Sequence, residues 1–350
     1  MKLAEEATTF GITGVGGFIG FRMVERALAR GLKVKGMDVS EAAVKAVTKR
    51  LKDHPKAHNL LVVFVGSVTD PVAAARLCQD CDVIFHTAAI LDIMSSFETS
   101  RKVNVQGTVV VAQAAKEHHV KRFVHLSSVM VYGFTFPKYV KEDGPKRGEN
   151  DPYCQTKIES EAAVMKFHEP GKMEVIVIRP GDVYGAHSPQ WVIGALVLMK
   201  RDLMILPNGG QGCMNHVHVD NLLDGVFLTL ENDKATGEAF NITDGGKTTW
   251  IEYYTRLAKL AGLQPPRTLP SILTYPAASF LRMLSYTSGT KAMNPKALGF
   301  ISRPHPYSIE KAKKVLGYVP KITLDEGFEE IKRALAKQAA AKQAAEKARL

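Results

Sequence analysis

A chain of 350 residues, 45% of them apolar, is long enough to bury a sizeable core, as one α/β unit with an extra lobe or as two domains. Its 46 lysines and arginines against 35 acids leave a net charge of +11, a balance that suits nucleic acid, an anionic membrane surface or an anionic substrate. The excess is uneven: residues 331–350 hold six basic residues and one acid, so the body is only mildly basic and no nucleic-acid partner is expected.

Four cysteines, Cys78, Cys81, Cys154 and Cys213, are too few for a disulfide framework at this length. Cys78-Gln-Asp-Cys81 has redox spacing, yet no second pair completes a zinc site. The thiols read as reduced and the protein as cytoplasmic. No basic-then-apolar leader precedes the first strand, and no run approaches the ~18–20 apolar residues of a membrane span.

In chain order, the first strand, Thr8–Thr13, runs into glycines at 14, 17 and 20, and helix-compatible sequence follows through Phe21–Arg30. A strand, a glycine turn and a helix point backbone N–H groups and the positive helix end at one spot, which suits a pyrophosphate. Leu32–Asp38 is a second strand, with Lys33 and Lys35 facing solvent. Its terminal Asp38 stands about twenty residues past the glycines, where a ribose-binding carboxylate belongs. A carboxylate repels a 2′-phosphate and no arginine follows it, which favours NAD over NADP.

Ser40–Leu51 is helical in pattern, and Leu60–Val65 is apolar enough to be buried on both faces of a parallel sheet. A helix at Pro71–Cys78, a strand at Asp82–His86 and small residues at Thr87-Ala88-Ala89 follow. His86, at a strand end, could be a base, but such a histidine more often supports packing. Thr108–His118 is a helix, Arg122–Leu126 a strand ending at Ser127-Ser128, Tyr153–Lys166 a helix and Val175–Ile178 a strand. This alternation predicts a Rossmann-type α/β fold, a doubly wound parallel sheet with a smaller C-terminal substrate lobe. The domains are read as 1–180, 181–330 and a basic helical tail, 331–350.

Past Pro180 the pattern turns irregular, with a helix at Trp191–Arg201, short strands near His216–Val219 and Ala239–Ile242 assigned to the smaller lobe, and helices at Asn221–Leu230 and Thr249–Leu260. His216 and His218 share a strand face but lack a third metal ligand, so no metal is expected. Leu269–Leu284 is apolar, broken by Pro270, Pro276 and Arg282, and suits covering an apolar pocket or touching a membrane surface.

Tyr153 and Lys157 stand one helical turn apart on one face. A free phenol titrates near ~10, and a neighbouring ammonium together with a cationic nicotinamide would pull it toward working pH. Ser128 reaches the same place from a strand end. Around these landmarks Ile90, Leu91, Ile93, Met94, Met130, Phe134, Phe136, Trp191 and Met214 supply apolar surface for a bulky substrate.

The arrangement resembles the extended short-chain dehydrogenase/reductases. The resemblance rests on Thr13-Gly-Val-Gly-Gly-Phe-Ile-Gly20, Asp38, His86-Thr-Ala-Ala89, Asn104-Val-Gln-Gly-Thr108, Ser128, Val131-Tyr-Gly133, Tyr153 with Lys157, and Arg179-Pro-Gly181. Within it, His86–Ile93, His216–Asn221, Gly237–Asp244, Leu269–Ser285 and Tyr307–Pro320 are most similar to the 3β-hydroxysteroid and sterol-4-carboxylate dehydrogenase branch. The resemblance implies hydride transfer with NAD. Tyr153 would take the proton of a secondary alcohol, Ser128 would orient its oxygen and Lys157 would hold the ribose. Asn104 would position the helix beside the cofactor. Cofactor contacts are implied at Gly14, Gly16, Gly17, Phe18, Ile19, Gly20, Asp38, Ser67, Val68, Thr87, Ala88, Ala89, Asn104, Ser127, Tyr153, Lys157, Pro180 and Val183. Ser67 stands where the family has an adenine-contacting acid. A homodimer is also implied, while peripheral membrane contact is expected from the Leu269–Leu284 stretch and the Lys332–Leu350 tail.

Two other readings stay open. A nucleotide-sugar epimerase or dehydratase uses the same scaffold, although Arg201 is the only arginine between Ser188 and Asn221 to meet a diphosphate. A non-catalytic NAD sensor is the other, and it would not need Ser128, Tyr153 and Lys157.

Overall fold

The computed structural model describes residues 8–91, 95–288, 295 and 297–347. Ile93 and Met94, named above as apolar candidates, lie outside them. The chain divides into two compact units: Met1–Pro180, Leu223–Ile242 and Ser308–Tyr318 form the first, Gly181–Leu222, Thr243–Tyr307 and Val319–Leu350 the second.

The first unit is built on seven parallel strands: β1 (Thr9–Thr13), β2 (Lys33–Asp38), β3 (Leu61–Val65), β4 (Val83–His86), β5 (Arg122–Leu126), β6 (Glu174–Pro180) and β10 (Ala239–Ile242). Their order is β10-β6-β5-β4-β1-β2-β3. The chain winds outward from β1 to β3, then returns to lay β4 on the other side of β1 in register Phe10↔Val83 to Thr13↔His86. The direction of winding reverses at the carboxyl ends of β1 and β4, and a doubly wound sheet opens its ligand crevice at such a point. Strands β4 and β5 are wholly buried, because helices cover both faces of the sheet's middle.

Three readings need correction. β3 is the sheet's edge, not a strand buried on both faces: Val62 is 55% and Val65 48% exposed. Apolar composition marks a strand but does not say how many neighbours it has. Ala239–Ile242 belongs to the main sheet, paired with β6 from Ala239↔Val177 to Ile242↔Pro180. Lys35 is half-buried; its ammonium turns to the Gln79 carbonyl and lies 3.9 Å from Asp80.

The second unit holds two small parallel pairs, β7 (Asp182–Tyr184) with β9 (His216–His218), and β8 (Ile205–Pro207) with β11 (Arg267–Leu269). An aromatic core fills it: Tyr184 meets Tyr253 edge-on at 5.8 Å, and Tyr253 meets Phe328 at 5.1 Å. Trp191 packs at 5.4 Å from Trp250, and Met214 is fully buried. The helix Ser271–Ser288 runs through Pro276. Pro276 is the sixth residue of this helix and forfeits the bond to the Ile272 carbonyl, yet the helix continues past it, so the predicted break is absent there.

Candidate active site

The glycine turn is dictated by close approaches. Gly14 has φ +72°, and a Cβ on it would stand 3.1 Å from the Ala88 backbone. A Cβ on Gly20 would stand 2.1 Å from the Gly14 carbonyl oxygen, so the helix Phe18–Ala29 can start there only with glycine. That helix has no side-chain cap and no acid in its first turn. The N–H groups at Phe18 and Ile19 are its first-turn donors and its positive end, the requirement for a diphosphate. Asp38 sits at the rim: Oδ2 accepts from the Gly16 N–H at 2.9 Å and Oδ1 from the Ser40 N–H at 3.0 Å. These residues fit the diphosphate and adenosine ribose of NAD.

The exit of β4 is tied to the turn by Thr13. Its Oγ1 accepts from the N–H groups of Thr87 and Ala88, both at 3.1 Å, and the Thr87 hydroxyl donates to the Thr13 carbonyl at 2.7 Å. His86 lies beneath with both ring nitrogens engaged, Nδ1 with Thr13 and Nε2 with Thr108, each at 3.0 Å. Burial pushes its pKa down to about 3. A neutral, doubly bonded ring is a support, not a base. Thr108 donates to the Asn104 carbonyl at 2.7 Å. The Asn104 side chain accepts from the Ile90 N–H at 2.7 Å and donates to the Ile90 carbonyl at 3.1 Å and to Thr156 Oγ1 at 3.0 Å. One polar chain therefore runs from the glycine turn to the helix that carries Tyr153.

That helix, Pro152–Met165, is capped by Asp151, whose carboxylate accepts from the N–H groups of Tyr153 and Cys154 at 3.0 Å. Ser128 acts on the Tyr153 phenol and favours its ionised form. Burial pushes the phenol up to about 12, against the opposing pull of Ser128. Lys157 Nζ donates to the Leu126 carbonyl at 2.8 Å and lies 5.8 Å from the Tyr153 ring centroid. Burial draws this ammonium down to about 8, opposed by Glu161. Without the cationic nicotinamide expected to act beside Lys157, desolvation dominates the phenol, and the ammonium is seated on a carbonyl.

The remaining predicted contacts divide. Thr87, Ala88 and Ala89 are half-buried beside the turn. Ser67 turns its hydroxyl to Thr69 Oγ1 at 2.8 Å, and the Val68 side chain is buried against Gly107. Ser127 gives its hydroxyl to Glu161 at 2.6 Å. Pro180 ends β6, and Val183 lies in β7 of the second unit. Thr13, Thr108, Thr156 and Glu161 were missed; only Glu161 carried a signal, its place four residues after Lys157.

Cys78 and Cys81 are free and buried, and burial pushes both thiols up to about 12, which removes the thiolate a redox pair needs. His216 bonds Asp244 and Thr248. His218 Nδ1 accepts from the Asp220 N–H at 3.3 Å, so its Nε2 donates to Glu330 at 3.0 Å. Folding brings His218, Asp220 and Glu330 within 4.8 Å of one another, a trio absent from the sequence reading.

Comparison with known proteins places these motifs. The chain is 25% identical over 330 residues to a 4-hydroxy-2-methyl-3-oxo-4-farnesyl-3,4-dihydroquinoline-1-oxide ketoreductase of Stigmatella aurantiaca, covering 92% of this chain and 95% of that protein. It is 28% identical to the decarboxylating sterol-4-alpha-carboxylate 3-dehydrogenase of Mus musculus, covering 91% and 88%. Identity is also 28% to a 3-beta-hydroxysteroid dehydrogenase of Mycolicibacterium neoaurum, covering 91% and 89%. The solved structure of the epimerase Mth375 of Methanothermobacter thermautotrophicus superposes with a TM-score of 0.77 at 20% identity, covering 97% and 95%, and shares the fold. Residues 11–243, which contain the glycine turn, Asp38, Ser128, Tyr153 and Lys157, match the NAD dependent epimerase/dehydratase family, and the chain belongs to that family of NAD-dependent enzymes.

Proposed function

We propose that this protein oxidises a secondary alcohol on a bulky apolar skeleton, a 3β-hydroxysteroid or sterol, to the ketone, with NAD taking the hydride. The observation that carries the reading is the Lys157 ammonium 5.8 Å from the Tyr153 ring centroid, with Ser128 acting on the same phenol. NAD, when bound, supplies the hydride acceptor and a positive charge near the phenol. Tyr153 takes the hydroxyl proton, Ser128 holds the substrate oxygen, and Lys157 meets the ribose. Asp38, already fixed to the turn, favours NAD over NADP.

Apolar side chains next to this pair support the substrate class. Met130 is half-buried two residues after Ser128, Phe136 packs 6.4 Å from Tyr132, and Leu91, 51% exposed, follows the Ile90 that Asn104 anchors. The relatives' names point the same way, to farnesylated, sterol and steroid skeletons. A panel of 3β-hydroxysteroids, 4-carboxysterols and UDP- or dTDP-sugars with NAD and NADP tests the reading. NADH release with a steroid alcohol is expected; conversion of a sugar nucleotide with NAD retained would favour the epimerase reading instead.

The second unit also supports peripheral membrane contact. No helix of the described residues is long and apolar enough to cross a membrane. Yet one face of Ser271–Ser288 exposes Ile272 (79%), Leu273 (56%), Phe280 (56%) and Met283 (58%), while Thr274 on the other face is buried. That helix has no acidic residue and the chain is net +11, which suits anionic headgroups. Ile272→Glu/Phe280→Glu is expected to weaken co-sedimentation with phosphatidylglycerol-containing vesicles about 100-fold or more. A wild-type chain that stays in the supernatant when such vesicles are pelleted removes the contact. The dimer is tested by sedimentation of the same preparations.

A further inference from the structure

The helix Pro152–Met165 carries a third polar group on the face of Tyr153 and Lys157. Glu161 stands four residues past Lys157, one turn further along. It is 2% exposed and every lobe of its carboxylate is used. Oε1 accepts from the Ser127 hydroxyl at 2.6 Å and Arg179 Nε at 2.8 Å; Oε2 accepts from Arg179 Nη2 at 2.8 Å and Lys146 Nζ at 2.7 Å. Three consecutive residues at the end of β5 therefore meet three consecutive turns of the helix. The Leu126 carbonyl seats Lys157, Ser127 bonds Glu161, and Ser128 acts on the Tyr153 phenol.

We propose that Glu161 is a positioning residue of the reaction: its carboxylate clamps the middle of that strand end, and with it Ser128, and supplies the negative charge that keeps Lys157 an ammonium. The inference rests on the catalytic reading of Ser128, Tyr153 and Lys157 given above.

The charges around Lys157 leave this task to Glu161. His86 from β4 and His125 from β5 face it as neutral rings, burial holding both well below their ordinary value. Tyr153 faces it as a neutral phenol. Arg179 and Lys146 are bound to Glu161 itself. Arg101 and Glu159 pair with each other nearer the surface, and Glu142 accepts from the Asn241 N–H. Burial draws Lys157 down and Glu161 draws it up. One charge a helical turn away, at an effective dielectric near 20, is worth about one pH unit or more.

Two measurements on the full chain test the proposal. NAD affinity, followed by calorimetry across pH, is expected to weaken as pH climbs through the Lys157 value, because a neutral amine offers the ribose a weaker donor. The wild-type break is expected near pH 8, and that of Glu161→Gln about one unit lower. Ser127→Ala, which loosens the clamp but keeps the charge, is expected to lower kcat about tenfold through Ser128 with the KM for NAD unchanged. An unmoved break in Glu161→Gln overturns the inference, as does wild-type kcat in Ser127→Ala. If Glu161→Gln does not fold, Ser127→Ala decides alone. A wild-type chain that binds no NAD overturns the catalytic reading first; one that binds NAD but fails either arm overturns this inference only.

Discussion

Tyr153→Phe is expected to lose about 10²–10⁴-fold in kcat while binding NAD as the wild type does. The substitution removes one oxygen. The ring keeps its place 5.8 Å from Lys157, and the Asp151 cap is untouched, since it holds backbone N–H groups and not the phenol. What disappears is the hydroxyl on which Ser128 acts, the only phenolic proton acceptor on that helix. Steady-state NADH formation alongside calorimetric NAD titration checks both halves. Equal turnover in the variant would move the acid–base role elsewhere. Weakened NAD binding at wild-type turnover would make the tyrosine a cofactor contact only.

The second large effect is on stability. Arg179→Leu is expected to cost about 3–5 kcal/mol, because it strands a buried carboxylate. Glu161 would lose both bidentate bonds, and Tyr132 and the Glu142 carbonyl would lose donors that now lie at 2.7 and 2.8 Å. Lys146 remains, but its side chain is 37% exposed and cannot replace a buried fork. By contrast, Arg101→Ala breaks a bidentate pair whose arginine is half-exposed and screened by solvent, and it is expected to leave the unfolding midpoint nearly unmoved. Urea unfolding midpoints compare the two. The pair also sets a pH sign. Burial alone would raise Glu161, yet Arg179 and Lys146 outweigh it and hold its pKa below the usual value. Its contribution is therefore present above the unfolded-state pKa and lost as pH falls through the folded one.

The parts of the site legible in the sequence are those that local geometry dictates. Gly14, Gly20 and Asp38 are readable because a turn, a helix start and a strand end stand at short fixed spacing, and Tyr153 with Lys157 because a helix repeats every four residues. What stayed hidden depends on pairings across many residues. Asn104 meets Thr156 across 52 positions, and Glu161 meets Arg179 from a helix to a strand. The exposure of Val62 and Val65 follows from β3 being last in the sheet, which composition does not encode. Ala239–Ile242 looked like part of the smaller lobe because strand order, unlike strand formation, is decided by what lies beside it. Glu161 was the avoidable miss, since Tyr153, Lys157 and Glu161 form an unbroken every-fourth-residue row of polar groups on one helix.

The claim on which the rest depends is that the Tyr153–Ser128 pair takes a proton while hydride leaves the same carbinol carbon for NAD. A 3β-hydroxysteroid carrying deuterium on that carbon tests it most directly. Mass spectrometry of the reaction is predicted to find the label on free NADH and the steroid converted to ketone. Label that stays on the steroid, with no ketone formed, would contradict the account.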